Sequence, residues 1–183
     1  MRTAKKANKT RSFIARNVHS CPKKVKDACY TTLVRPLMEY ATTAWAPHSA
    51  QNCYKPEQVQ RRAARFACHR YERTASVTAM LNDLKWETLE TRCNNQRLTM
   101  FYHMQHNMLS ITPANYLAPV QSSRSRSGHD QMYQVPYAQT DVYKYSFYSF
   151  FPATVCMWNA LPAPMIQSGT LSFKADISDY YGH

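Results

Sequence analysis

From Val25 onward the apolar residues recur in steps of four and three, at Val25, Cys29, Leu33, Leu37, Tyr40 and Ala44. That spacing gathers side chains on one face of an α-helix. The same period returns at Val59, Ala63, Phe66 and Ala67, and again at Leu89, Cys93, Met100, Met104 and Met108, where Leu98, Tyr102 and Leu109 add a second apolar face. A chain patterned in this way must bury helices against one another.

Composition narrows the class further. With 3 Gly against 10 Pro, the chain is poorly equipped for tight β-turns and has no Gly-rich loop to cradle phosphates. At 183 residues it can build one sizeable core or two small ones. Aromatic residues make up 13%, more than a disordered chain would carry. No apolar run approaches the ~18 residues of a membrane span, and no apolar segment follows the Lys-rich stretch Met1–Thr10 to make an export signal. The 6 Cys are scattered, so they read as reduced thiols of an intracellular chain, nuclear or cytoplasmic and not secreted.

Along the chain, residues 3–18 read as a helix edged by Phe13, Ile14 and Val18, and Pro22 opens the next helix. Pro36 should kink or divide that second helix near Arg35, because it removes a hydrogen bond and crowds the preceding turn. A third helix is expected from about Pro56 to Arg70, and a fourth over 76–84 with Ser76 as its N-cap. A longer one is expected from Trp86 to about Leu109, ended by Thr112-Pro113. Residues 121–131 are polar and Ser-rich, suiting a linker or loop. Tyr133, Val135 and Tyr137, then Tyr143, Tyr145 and Phe147, alternate with mainly polar residues as strands of a hairpin would. Short helices over 152–160 and 170–177 complete a mainly α fold with a small α+β tail.

Charge is distributed unevenly. Residues 1–73 hold sixteen of the 23 Lys and Arg and four of the 11 acids, so the whole formal charge of +12 lies there. The remaining seven bases and seven acids cancel. Such asymmetry suits a polyanionic partner for the first part of the chain. Lys5, Lys6, Lys9, Arg11 and Arg16, then Lys23, Lys24 and Lys26, then Arg61, Arg62 and Arg65, decorate three successive helices. At ~100° per residue, the last three arginines fall opposite the Val59, Ala63 and Phe66 stripe.

Other chemistries fit less well. Metal-assisted phosphoryl transfer needs carboxylates clustered around two ions, whereas Glu87/Glu90 and Asp176/Asp179 are spaced as solvated helix faces. His103-x-x-His106 with Cys93 is the one grouping of ligand types, and no spacing supplies four zinc ligands. Cys68 and His69 are neighbours, which on a helix point apart, so they do not suit a nucleophile and its base. No catalytic residue, metal site or cofactor is therefore expected.

Four ordered stretches carry a resemblance: KANKTRSFIARNVHSCPKKVKDACYTTLVRPLMEYATTAWAP, VQRRAARFA, TASVTAMLNDLKWETLETR and TDVYKYSFYSFFPATVCMWNALP. Together they resemble the C-terminal part of reverse transcriptases encoded by jockey-like non-LTR retrotransposons. The resemblance implies a helical thumb over about residues 3–75 and a post-thumb segment from about 76 onward. With the patterning above, the expected organisation is a basic helical thumb-like region over 1–75, a helical post-thumb region over 76–120, a polar linker or loop over 121–131 and a hairpin with short helices over 132–183. The resemblance also implies contact with the minor-groove side of an RNA or DNA template–primer, and an upstream polymerase palm as a partner. The family's aromatic-x-Asp-Asp signature belongs to that palm and has no counterpart here. The sequence departs from the family pattern at Pro56, at Cys93 after Arg92 and at Ala153 after the FFP run.

The expected function is thus sequence-independent nucleic-acid binding by a non-catalytic reverse-transcriptase fragment. Arg61, Arg62 and Arg65 are its candidate contacts, with Lys5, Lys6, Lys9, Lys23 and Lys24 in support. Two rival readings are an inert gene fragment and a protein-interaction module built on the aromatic segment from Tyr143 to Phe151.

Overall fold

A computed structural model describes residues 2–40, 50–120, 129–135 and 150–181. Most of this backbone is helical: α1 (Arg2–Asn17), α2 (Lys23–Cys29), a π turn (Tyr30–Val34), α3 (Arg35–Glu39), α4 (Ala50–Cys68), α5 (Val77–Asp83), α6 (Leu89–Gln105), a 3-10 turn (Pro113–Asn115), α7 (Phe150–Asn159), α8 (Ala163–Gln167) and α9 (Thr170–Tyr181). The fold is mainly α, as the apolar period predicts. Among the described residues the extended structure is one isolated antiparallel bridge, Pro119 with Tyr133. Tyr133 thus pairs outside the expected hairpin, most of which lies outside the described residues.

Pro36 acts where the sequence places it, but by widening the helix. The backbone stays helical from Lys23 to Glu39 and passes through the π turn just before the proline, with the Arg35 N–H donating to the Tyr30 carbonyl. The turn also corrects the expected apolar register. Val25, Leu33 and Tyr40 are exposed, while Lys26, Tyr30, Val34 and Met38 are buried. Steps of four overshoot a full α-turn by ~40° each, and the wider i→i+5 turn takes up the excess. The whole series from Lys26 to Met38 then faces inward, one position on from the expected stripe.

With few glycines, three helices end on other residues in the left-handed region: His69 at φ 54°, Lys85 at φ 55° and Asn107 at φ 53°. Each end is closed by a bond from the next N–H back to a helix carbonyl: Arg70 to Arg65 at 3.1 Å, Trp86 to Leu81 at 2.8 Å and Met108 to His103 at 2.9 Å. Asn107 therefore stops α6 at Gln105, earlier than expected, and leaves Met108 and Leu109 exposed. At the other end of the range, α4 begins at Ala50 and carries Pro56 inside it. The expected α5 cap is present: the Ser76 hydroxyl accepts the Ala79 N–H at 3.3 Å.

The described residues form two compact units, the first ending at Glu90 and the second beginning at Thr91. The first therefore extends beyond the expected boundary at residue 75, because Met80 and Leu81 of α5 join its core. On α1, Ala4, Ala7 and Ile14 point inward and Phe13 is exposed, reversing the expected place of Phe13. The small side chains of Ala7, Ala63 and Ala64 allow helices to approach closely within this core. Gln60, buried on α4, ties three segments together: it accepts the Tyr30 hydroxyl at 3.0 Å and donates to the Glu87 carbonyl at 2.7 Å.

The second unit packs around Trp158, which is fully buried and meets Phe101 edge-on at 5.0 Å. Tyr102 stacks on Phe173 at 4.3 Å. At the end of the expected linker, Asp130 and Gln131 are exposed and His129 is packed in this unit. His129 is buried with its Nε2 3.1 Å from the Trp158 carbonyl, and the Gln131 carbonyl accepts from Trp158 Nε1 at 2.9 Å. The Asn159 amide then acts as a surrogate strand, accepting from Tyr133 N at 3.1 Å and donating to its carbonyl at 2.8 Å. Residues 121–128 lie outside the described residues.

Candidate nucleic-acid interface

The two faces expected of α4 separate as the period requires. Val59, Ala63, Phe66 and Ala67 are buried, Arg61 and Arg62 are exposed and Arg65 is half-buried. The three arginines line a shallow recess of about 290 Å³ with Gln58 and Val77, and no acid lines it. Arg61 is partly neutralised from below, its Nε lying 3.6 Å from Glu57 one turn earlier. Arg62 and Arg65 have no acid partner among the described residues.

A fourth guanidinium arrives from α1. Ala4, Ala7 and Ile14 define the inward stripe of that helix, and Arg11 falls in the same register between Ala7 and Ile14. Its Nε donates to Asn8 Oδ1 at 3.2 Å and its Nη2 to Ser12 Oγ at 3.1 Å, which fixes the guanidinium beside the helix. Burial, and then the neighbouring positive charge of Arg62, hold Arg11 below the ordinary guanidinium range. The two like charges disfavour each other, which a bound anion would relieve. Arg11 is one of the basic residues of the first helix but not one of the candidate contacts expected from the sequence. The signal available was its register with Ala4, Ala7 and Ile14; its meeting with Arg62 depends on helix packing.

The lysines are placed differently. Lys5, Lys6 and Lys9 are exposed on the side of α1 opposite its inward stripe, and so are not directed at the α4 recess. Lys24 is exposed as well. Lys23 is paired with Asp83 at 2.5 Å, and this hydrogen bond raises the lysine and lowers the carboxyl from their usual ranges. Lys26, expected with them on the surface, is instead buried with its ammonium 5.0 Å from the centre of the Phe66 ring. The arginines thus form a cluster, while the lysines are dispersed around it.

Among the described residues no three His, Cys, Asp or Glu side chains converge as a metal site would require. The Cys68 thiol is 3.9 Å from Asp83, and burial pushes its pKa up, away from a ready thiolate. His106 packs its ring on Tyr102 at 4.1 Å. Of the aromatic tail, Phe150 and Phe151 pack against the second core and Phe151 stacks on Tyr116 at 5.2 Å, while residues 143–149 lie outside the described residues. No described helix is long and apolar enough to cross a membrane. Comparison with protein-family models, with curated proteins and with solved structures finds no match for this chain.

Proposed function

We propose that this chain is a non-catalytic part of a non-LTR retrotransposon reverse transcriptase that holds template–primer nucleic acid without reading its sequence. The observation that carries the reading is the recess on α4 that Arg61, Arg62 and Arg65 line with no acid in its wall. Guanidinium groups hold phosphate oxygens through paired hydrogen bonds, and phosphates repeat regardless of base sequence. The resemblance of the ordered sequence blocks to the thumb and post-thumb region supports the same reading. The upstream palm would supply the chemistry, and this chain would supply grip.

The reading is tested by titrating the intact chain against two duplexes of unrelated sequence and an RNA–DNA hybrid over a range of salt. The expected result is similar affinity for the two duplexes and a steep loss of binding as salt rises, reflecting counterion release. Binding that ignores salt, or that selects one duplex strongly over the other, would contradict it.

A further inference from the structure

Arg61, Arg62 and Arg65 do more than make α4 basic: together with Gln58 and Val77 they line a shallow recess. An internal phosphodiester carries one negative charge and is flanked by sugars on both sides, so it presents only two free oxygens to a protein. A terminal phosphate monoester protrudes from the strand and carries ≈ −1.5 to −2 charge at pH 7. Its three outer oxygens can accept from more than one guanidinium at once. The recess has no acid in its wall, and Val77 adds an apolar patch beside the arginines. Arg11, hydrogen-bonded to Asn8 and Ser12, adds a positive charge that acts on Arg62.

We infer that the recess lined by Arg61, Arg62 and Arg65 is a subsite for the phosphorylated end of a nucleic-acid strand. This inference rests on the nucleic-acid reading above and adds a preference within it. Lys5, Lys6, Lys9 and Lys24 then supply diffuse attraction along the strand, and the recess captures its end.

The test uses the intact chain and a short blunt duplex in two forms, one with 5′-phosphates and one with 5′-hydroxyls. The 5′-phosphorylated form is expected to bind about tenfold more tightly, a difference of about 1.4 kcal/mol. Arg62→Ala, an exposed substitution on a helix, is expected to abolish that preference while helical circular dichroism stays unchanged. Equal, salt-sensitive binding of both forms would overturn the strand-end subsite and leave the general nucleic-acid reading standing. Failure to bind either form would overturn both. A preference that survives in folded Arg62→Ala would place end recognition elsewhere, against the inference. A nucleoside monophosphate is expected to compete weakly; competition as strong as that of the phosphorylated duplex would make this a free-nucleotide pocket and also defeat it.

Discussion

Tyr30 and Trp86 stack with ring centroids 4.0 Å apart and planes 24° from parallel, joining the π turn to the segment between α5 and α6. The contact has polar supports on both sides. Trp86 Nε1 donates to Asp27 Oδ1 at 2.9 Å, and the Tyr30 hydroxyl donates to Gln60 at 3.0 Å. Stacking, a charge-assisted hydrogen bond and the Gln60 bridge therefore converge on one place in the first core. Trp86→Phe keeps an aromatic ring but removes the bond to Asp27, and is expected to cost about 1.5–3 kcal/mol. Trp86→Ala should cost about 3–5 kcal/mol. Urea unfolding checks both, with the Phe variant retaining most of the stability that the Ala variant loses.

Phe66 should separate stability from binding. Its ring is buried against the first core and lies under the Lys26 ammonium, so Phe66→Ala removes packing and a cation–π partner together. A loss of about 3–5 kcal/mol is expected. Nucleic-acid affinity should then fall only in step with the unfolded fraction measured on the same samples; an affinity loss in fully folded protein would show that the ring has a direct role.

The α5 cap offers a smaller and cleaner effect. Ser76→Ala leaves the Ala79 N–H without its side-chain acceptor and is expected to destabilise the chain by about 1 kcal/mol, whereas Ser76→Gly should cost only a few tenths. Thermal unfolding of the two variants in one buffer distinguishes them, and equal losses would mean that the cap contributes little.

The Lys23–Asp83 pair should leave a mark on the acid limb of stability. The hydrogen bond to Lys23 holds the Asp83 carboxyl below its usual range in the folded chain. Its contribution is therefore present above the unfolded carboxylate pKa of ~3.9 and disappears as pH falls through the lower folded value. Lys23, raised by the same bond, contributes below its unfolded pKa of ~10.4, and that contribution disappears as pH rises through the higher folded value. Both side chains are solvent-accessible, so added salt should shrink the effect. Melting temperatures across the acid range should therefore fall less steeply for Asp83→Asn than for the parent chain; parallel curves would remove the pair from the account.

Local signals in the sequence placed much of this fold. Ser76 caps its helix through a bond within four residues, and Pro36 forces a defect just before itself, so both are readable without tertiary information. The α4 faces were legible because Val59, Ala63, Phe66 and Ala67 follow the helical period without interruption. The inward register of α2 and α3 was not, because its first member is Lys26 and a lysine does not look like core. Its burial depends on Phe66 from another helix. The end of α6 was missed because Asn107 adopts a left-handed conformation while Met100, Met104 and Met108 continue the helical period past it. The influence of Arg11 on Arg62 was not legible for a similar reason: it depends on how α1 and α4 pack.

The central claim is that the α4 arginines grip phosphates, and the most direct measurement is the salt dependence of binding by the triple variant Arg61→Ala, Arg62→Ala, Arg65→Ala. All three side chains lie outside the buried stripe of α4, and Ala is the better helix former, so the variant should keep its helical signal and its unfolding midpoint. Each lost phosphate contact should lower the slope of log K against log salt by about 0.9 on B-form duplex, so three lost contacts should lower it by about 2.7. The account predicts that reduction, equal in size on unrelated sequences. A folded triple variant that binds with the parent slope would show the arginine face to be ordinary solvated surface, and would contradict the account.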